Sequence, residues 1–302
     1  MSGEPGLSIV VAVKDAAANL PRLLAALADL PADCEVLICV AGETGTIAPA
    51  AEVTVLCAPA DALVPHLWRD GILAARARRV ALTTAQCVPA PDWASRMRDA
   101  DVERWAGIGG AIDNDPVASA ANWAIFFLRY SAFAPPIERG PVREIAADNA
   151  VYDRTAILAC PDLLAEGFWE PNFHRRFHEA GRVLLLDPAI LVTHYGLVAP
   201  RDFARQRMKH GHEYGLERGC RGSRMAALGL LLRSPVLPLL IVARIMRRVM
   251  ARSSHRRHLL PSLLWLIAFA VAWSMGEARG YAAALAKTRT TGAKALRGNM
   301  HE

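Results

Sequence analysis

The first 85 residues alternate short apolar runs with helical stretches, and this alternation constrains the fold more than any other feature. Residues 7–13 read LSIVVAV, which is typical of a strand that is buried on both faces. Residues 19–30 then place leucines at helical spacing. The pattern continues with three more predicted strands, over residues 35–40, 53–57 and 79–83, and with a predicted helix over residues 63–77. Strands that alternate with helices predict an α/β fold with a mostly parallel sheet flanked by helices.

The rest of the chain is less regular. Pro91-Asp92-Trp93 is expected to open a helix, and an aromatic-rich helix is expected over residues 119–133. Three further strands are predicted over residues 106–112, 183–186 and 190–193, and a basic helix is predicted over residues 201–217. After residue 217 the sequence changes to apolar runs around an arginine cluster. We therefore predict two domains, over residues 1–217 and 218–302.

Charge is distributed unevenly between these parts. Residues 1–200 carry 16 basic and 24 acidic side chains, whereas residues 201–302 carry 19 and 5. Such asymmetry indicates a basic segment that faces an anionic partner, either lipid or nucleic acid. Apolar runs flank the arginines, and aromatic residues spaced for base stacking are lacking. A membrane surface is therefore favoured, and no nucleic-acid partner is expected.

Several nucleotide-binding and hydrolase motifs are missing from the sequence. No GxGxxG turn follows the first predicted strand, and neither a Walker motif nor a GxSxG elbow occurs. Six other segments stand out in order: SIVVAVKDAAANLPRLLAAL, EVLICVAGE, VALTTAQCVPAPDW, ADNAVYDR, GFWEPNFHRRFHEAG and VTHYG. Together they resemble the family 2 glycosyltransferases, which are inverting enzymes of GT-A fold, over residues 7–215. The resemblance implies a sugar-nucleotide pocket at the carboxyl ends of the strands.

The resemblance assigns a first group of donor-binding residues. Val13, Lys14 and Asp15 follow the first strand, where relatives carry a proline-aromatic-asparagine turn. Asp15 would accept a hydrogen bond from the base or ribose, or alternatively cap the next helix. Relatives end the second strand with two aspartates, but this chain continues with Gly42 and Glu43. Nucleoside binding there would depend on backbone groups or on Glu43.

The family's metal-binding DxD motif falls on Thr84-Ala85-Gln86. Two carboxylates at this place would hold a divalent cation that neutralises the diphosphate. Three interpretations stay open here. Cationic side chains replace the metal, or Gln86 and His194 form a weak Mg²⁺ or Mn²⁺ site, or catalysis has been lost.

Candidates for contacting the diphosphate are mostly arginines, because guanidinium groups bond bidentately to phosphate oxygens. The candidates are Lys14, Arg69, Arg175, Arg205 and Arg207. His194, in VTHYG, lies where relatives often place a histidine near the diphosphate or metal. Arg69 in a surface salt bridge and His194 as a core histidine are the structural alternatives.

The acceptor side is assigned to two segments. Asp148 and Asn149 would bind sugar hydroxyls or, alternatively, form an Asx-turn. Trp169, His174 and Arg175 are further candidates for sugar or acceptor contacts. Inversion needs one base that takes the proton of the attacking hydroxyl, and Glu170 is the predicted base. Its structural alternative is charge stabilisation of a helix N-terminus.

The C-terminal region has two apolar segments, at residues 225–243 and 259–275, with six arginines between them. If both segments crossed the bilayer, these arginines would lie opposite a cytosolic catalytic domain, against the positive-inside rule. We therefore expect segments that lie in the cytoplasmic interface or re-enter it. One span at residues 259–275, or a soluble helical hairpin, are the alternatives.

These observations predict an inverting glycosyltransferase at the cytoplasmic face of the cell membrane. It would move a sugar from a nucleotide-sugar donor to a lipid-linked or glycan acceptor. The alternative is a catalytically degenerate scaffold or binding protein of the same fold, which the substituted aspartates favour.

Overall fold

The computed structural model describes residues 4–14, 17–42, 53–196, 198–252 and 254–298, with side chains up to residue 286. The chain forms two compact units. The first comprises Met1–Ala118 and Ala132–Leu197, and the second comprises Ser119–Ser131 and Val198–Glu302. The basic helix that we expected at the end of the first domain is thus part of the second unit. The functional division at residue 217 stays a prediction.

A sheet of nine strands forms the first unit in the described part of the chain. The strands are β1 (Leu7–Val13), β2 (Cys34–Ala41), β3 (Val53–Ala58), β4 (Arg79–Thr84), β5 (Cys87–Pro89), β6 (Gly107–Asn114), β7 (Gly140–Val142), β8 (Asn149–Asp153) and β9 (Leu184–His194). Their order is β3-β2-β1-β4-β8-β6-β9-β5, and β7 also pairs with β9. Only β5, β7 and β8 run against the other strands, which confirms a mostly parallel sheet.

The described residues also form eleven α-helices. They are α1 (Leu20–Ala26), α2 (Val64–Ala74), α3 (Trp93–Arg98), α4 (Ala120–Tyr130), α5 (Arg154–Leu158), α6 (Pro161–Ala165), α7 (Glu170–Glu179), α8 (Pro200–Arg221), α9 (Arg224–Arg233), α10 (Leu237–Ala251) and α11 (Arg256–Gly298). Helices α4 and α8 to α11 belong to the second unit. Helix α2 packs directly on β1 at Gly71. A Cβ added at this position would lie only 2.2 Å from Val10 Cγ1.

The register of the central strands aligns their carboxyl ends at one edge of the sheet. Val13 pairs with Val40, and Ala12 pairs with Thr84, so β1, β2 and β4 end side by side. All seven residues of β1 are buried, as a strand covered on both faces requires. The residues that follow these strands therefore share one edge, where ligands bind in open α/β sheets.

Two features of the sheet differ from the sequence-based expectation. The predicted strands at residues 183–186 and 190–193 are one strand, β9, whose register against β6 shifts between Gly110 and Ala111. Asp187-Pro188 interrupts the apolar pattern, and the structure accommodates this interruption as a β-bulge. Strand β8 was not predicted at all, and it lies antiparallel between β4 and β6.

The second unit contains two helical stretches that are long and apolar enough to cross a membrane by length and composition, Arg224–Ala251 and Arg256–Ala286. Within this unit α8 packs against α11 through glycines on both helices. A Cβ at Gly215 would lie 2.3 Å from Glu277 O, and one at Gly276 would lie 2.1 Å from Met208 O. The two backbones can approach this closely only because these positions lack a side chain.

We expect Gly215→Ala to destabilise the second unit, although alanine favours helices. Overpacking typically costs about 1–3 kcal/mol, more than the ~0.5–1 kcal/mol gained by replacing a helical glycine. Gly229→Ala is the matched control, because nothing lies within 4 Å of a Cβ at that helical position. Denaturation followed by circular dichroism should show opposite signs for the two variants. Equal stabilisation by both would contradict the packing of α8 on α11.

Candidate active site

The loop before α7 places Glu170 at the first position of that helix. Gly167 has a φ of +111°, which a residue with a side chain rarely adopts, and it turns the chain after α6. Phe168 then donates its backbone N–H to Pro65 O (2.8 Å) and buries its ring against Tyr152 and Phe173. The turn and the buried ring together fix where α7 begins.

Glu170 lies beside the edge of the sheet at which β4 ends. Its Oε2 accepts the backbone N–H of Ala147 at 3.2 Å. The next residue, Asp148, accepts a hydrogen bond at Oδ1 from Thr84 Oγ1 at 3.3 Å. Three segments that are far apart in sequence therefore meet: the end of β4, the loop before β8 and the start of α7. The predicted base and one predicted acceptor residue lie together with a residue of the substituted DxD motif.

Tyr152 and His174 lie behind this cluster and are buried. Burial, with the Glu170 and Asp148 charges nearby, raises the pKa of Tyr152 well above 10, so its hydroxyl stays protonated. The hydroxyl is hydrogen-bonded to His174 Nε2 at 3.0 Å. His174 is only 2% exposed, so the structure does not bring this predicted acceptor residue to the surface. Its ring supports α7 against β8 instead.

Asn149 is fully buried and its amide is already used within the sheet. Its Oδ1 accepts from Trp93 Nε1 at 2.7 Å, and its Nδ2 donates to Ala111 O and Ile190 O at 2.8 and 3.2 Å. These carbonyls lie at the β-bulge between β6 and β9. The structure therefore gives Asn149 a role in stabilising the bulge, whereas Asp148 lies at the edge of the sheet.

Gln86 belongs to the short turn between β4 and β5. Its carbonyl accepts the N–H of Tyr195 at 2.7 Å, and Tyr195 O in turn accepts from Asn19 Nδ2 at 2.7 Å. The Arg22 guanidinium lies 4.0 Å from the centre of the Tyr195 ring. This contact brings an exposed cation next to the substituted motif. Sequence analysis missed Arg22, because its position on α1 says nothing about the distant Tyr195.

His194 ends β9 and is 1% exposed. Its Nδ1 lies 3.2 Å from Asn114 Oδ1, and it pairs in the sheet with Cys87. A Cβ at Gly196 would lie 2.7 Å from the imidazole Cε1, so the glycine allows the chain to fold over the ring. The histidine is thus a buried neighbour of the Gln86 turn.

The remaining first-unit candidates follow β1 or lie on or beside α2 and α7. Lys14 follows β1 and donates to the carbonyls of Asp61 and Ala62, at 3.3 and 2.5 Å. Arg69 bonds Asp70 and also reaches Ala165 O at 3.3 Å, next to the loop that carries Trp169. Trp169 is exposed, and its Nε1 donates to Glu166 O at 3.0 Å. Arg175 lies on the exposed side of α7, 3.9 Å from Glu179.

Five other predicted residues are not brought into this cluster by the described contacts. Gly42 follows β2 with a φ of 92° and donates its N–H to Ala58 O. Asp15 and Glu43 lie outside the described residues. Arg205 and Arg207 are on α8 in the second unit, where Arg205 pairs with Asp202 and Arg207 lies over the Trp273 ring at 4.2 Å. Burial lowers the pKa of Arg207 to about 10.

The side chains near the end of β4 do not fit a conventional divalent-cation site. Thr84 and Gln86 are neutral, and the Asp148 carboxylate already accepts from Thr84. Among the described residues no group of three or more His, Cys, Asp or Glu side chains could hold a metal ion. Mg²⁺ and Mn²⁺ prefer several oxygen ligands with at least one or two carboxylates. The predicted pair of Gln86 and His194 lacks that donor set.

We expect Asn149→Ala to lower the free energy of unfolding by about 3 kcal/mol or more. The change leaves the Trp93 indole N–H and two buried carbonyls without their partner, and each such loss costs roughly 1–3 kcal/mol. Asn172→Ala, at an exposed position of α7, is the matched control and should stay within ~0.5 kcal/mol of wild type. Unchanged melting of Asn149→Ala with weaker acceptor binding would instead support the original assignment.

The first unit should become less stable as the pH falls, because His174 is buried in its neutral form. Burial lowers the pKa of this imidazole from 6.5 to about 3 in the folded chain. The unfolded chain therefore binds the proton first as the pH falls, so this stabilisation is complete above pH ~6.5 and is lost towards pH ~3, by up to about 1.4 kcal/mol per pH unit. Urea unfolding between pH 7.5 and 4.5 measures how the free energy of unfolding depends on pH. We expect this dependence to be weaker for His174→Phe than for wild type. An equal pH dependence of the two proteins would contradict this assignment.

Comparisons with known proteins agree with this architecture at the level of the fold. No protein-family model and no curated protein sequence matches the chain. Among solved structures, the chain is similar to the mannosyltransferase PcManGT from Pyrobaculum calidifontis, solved in complex with GDP-Man and Mn²⁺. The match has a TM-score of 0.55 at 12% identity and covers 91% of this chain and 87% of the other. The chain therefore has a glycosyltransferase fold.

Proposed function

We propose that the first unit is an inverting glycosyltransferase that uses a nucleotide-sugar donor. The observation that carries this proposal is the meeting of Glu170, Asp148 and Thr84 at the edge of the sheet. The glycosyltransferase fold and the donor bound by the structural neighbour support the substrate class. The family 2 resemblance of the sequence supports inversion.

The reaction would use Glu170 as its general base. The Glu170 carboxylate takes the proton of an acceptor hydroxyl as its oxygen forms a bond to the anomeric carbon of the donor sugar. The bond between that carbon and the diphosphate oxygen breaks on the opposite side, and the nucleoside diphosphate leaves. Asp148 would orient the acceptor or the sugar through hydrogen bonds to hydroxyl groups.

Cationic side chains would stabilise the departing diphosphate in place of aspartate-bound metal. Lys14 and Arg22 lie beside segments that follow β1 and β4, and Arg69 lies beside the loop before Glu170. Guanidinium and ammonium groups can compensate phosphate charge directly. This part of the proposal rests on the donor set at Thr84 and Gln86, which suits a divalent cation poorly.

The acceptor would be lipid-linked or a glycan, at the cytoplasmic face of the cell membrane. The support is the second unit, whose apolar helices and arginines suit an anionic lipid surface. A polysaccharide or glycolipid precursor would then be the product. The active site would work in the cytosol, where nucleotide sugars are available.

A second candidate function is that of a scaffold or binding protein that has lost turnover. The observation that favours it is the lack of carboxylates at both donor positions, Val40-Ala41 at the end of β2 and Thr84-Ala85-Gln86 after β4. Such a protein would keep the fold and the membrane contact without a reaction.

Glu170→Gln should separate these two functions. The amide keeps an oxygen that can accept the Ala147 N–H, so the fold and donor binding should persist while the base is lost. We expect a panel of nucleotide sugars to raise the melting temperature of wild type and variant alike, and transfer by the variant to fall about 10²–10⁴-fold. Glu179→Gln, at the exposed end of α7, is the matched control and should retain wild-type transfer.

Two outcomes would overturn the proposal. Transfer by Glu170→Gln at the wild-type rate would remove Glu170 from the role of base. If no nucleotide sugar binds wild type, with or without Mn²⁺, the enzyme assignment fails and the scaffold function gains support.

A further inference from the structure

The second unit combines a strongly polar helix with strongly apolar ones. The exposed residues of α8 are almost all charged or polar: Arg201, Asp202, Arg205, Gln206, Lys209, Glu213, Tyr214, Glu217, Arg218, Cys220 and Arg221. Its buried face carries Gly211, Gly215 and Gly219, which lie against α11. A charged helix is therefore bound tightly along a helix that hydropathy alone identifies as a membrane span.

Helix α11 has two opposite faces of different character. Glycine contacts place α8 against Trp273, Gly276, Glu277, Gly280 and Ala284. An apolar groove formed with α9 is lined on α11 by Ala282, Leu285 and Ala286. At about 3.6 residues per turn these two sets point in opposite directions. One side of α11 therefore contacts the charged helix α8 and the opposite side is apolar, rather than one end of the helix being polar and the other apolar.

The face of α11 that lies away from α8 is exposed and apolar over much of its length. Leu260, Leu264, Ile267, Val271 and Met275 recur at helical spacing on this side, and Leu260 and Leu264 are 79% and 75% exposed. Helices α9 and α10 also expose large apolar side chains, and Met225, Leu232 and Leu239 are 76%, 71% and 71% exposed. We call these eight residues the apolar face.

The charge around the apolar face has one sign. Residues 218–276 contain ten arginines and no aspartate, glutamate or lysine. Arg233, Arg244 and Arg247 are exposed on α9 and α10. Anionic phospholipid headgroups complement such a surface, whereas a protein partner would need an acidic, apolar groove of matching length.

A membrane-spanning arrangement conflicts with these contacts. If α11 crossed the bilayer, α8 would enter with it, and each charged side chain at the bilayer centre is strongly disfavoured. The carboxylate of Glu277 would also enter, bound by Trp273 Nε1 and by the Tyr281 hydroxyl at 2.8 and 2.5 Å. A unit whose polarity changes across its helices suits an interface, where one side meets lipid and the other meets water.

We propose that the second unit lies in one leaflet of an anionic membrane, with the apolar face in lipid and α8 in water, and that no part of the described chain crosses the bilayer. This inference deepens the membrane location given under the proposed function. It does not depend on glycosyl transfer, because both of its tests measure position and binding without turnover.

Cysteine accessibility tests the topology, because the three arrangements predict different sides for two probes. The Ser254→Cys substitution is between the two apolar stretches, and the Glu302→Cys substitution follows α11 in the sequence. Both are made in a Cys57→Ser, Cys220→Ser background, which removes the two exposed native thiols. The Cys220→Ser chain, which retains exposed Cys57, reports the side of the first unit.

We expect an impermeant maleimide to modify all three probes from the same side of sealed vesicles. Two spans would place Ser254→Cys on the opposite side from Cys57, and one span at α11 would place Glu302→Cys there. Either result would overturn the proposal.

Binding to vesicles tests the arginines. We expect the full chain to bind phosphatidylcholine–phosphatidylglycerol (3:1) vesicles and to bind pure phosphatidylcholine much more weakly. The pair Arg244→Gln and Arg247→Gln should weaken binding to the anionic vesicles by about 30-fold. The matched pair Arg201→Gln and Lys209→Gln removes the same charge from α8 and should change binding less than threefold. Equal effects of the two pairs, or no vesicle binding by wild type, would overturn the proposal.

Discussion

The hydrogen bond between the Glu170 carboxylate and the Ala147 N–H is the contact on which the candidate site depends. It joins the start of α7 to the loop before β8, and β8 is itself fixed between β4 and β6. The loop is stabilised in turn by the Asn149 N–H, which donates to Ala146 O at 3.0 Å. Because this donor is a backbone group, the fold itself helps to set the position of the carboxylate.

Charged groups of both signs lie beside the edge of the sheet at which β1 and β4 end. Asp148 and Glu170 lie near a tyrosine that is kept neutral by burial and by these same carboxylates. The cations Lys14 and Arg22 lie next to the turns that follow β1 and β4. The proposed transfer would need a base for the acceptor and positive charge for the leaving diphosphate, and these groups would supply both without a carboxylate-bound metal.

The sequence predicted the elements that local pattern determines and missed those that depend on distant contacts. Strands β1 to β4 follow from their apolar runs, whereas the role of Glu170, inferred from its place in the GFWE segment, stays a prediction. Asn149 and His174 were placed at the acceptor site, because residue type suggests hydrogen bonding but does not reveal burial. Their partners Ile190 and Tyr152 are 41 and 22 residues away. Arg22 was missed for the same reason, since only the fold brings α1 to Tyr195.

Hydropathy alone does not distinguish a spanning α11 from an interfacial one, and the glycines show why. A window along the sequence averages all faces of a helix, so it cannot distinguish a helix surrounded by lipid from one covered by a polar neighbour. Gly276 and Gly280 of α11 have no side chain, so the backbone of α8 packs against them, and glycines of α8 allow the same close contact from the other side. The close approach buries the backbone of both helices and leaves Leu260 and Leu264 exposed on the opposite side of α11. The same 31-residue stretch, Arg256–Ala286, can therefore be apolar enough to span and still belong to a two-sided interfacial layer.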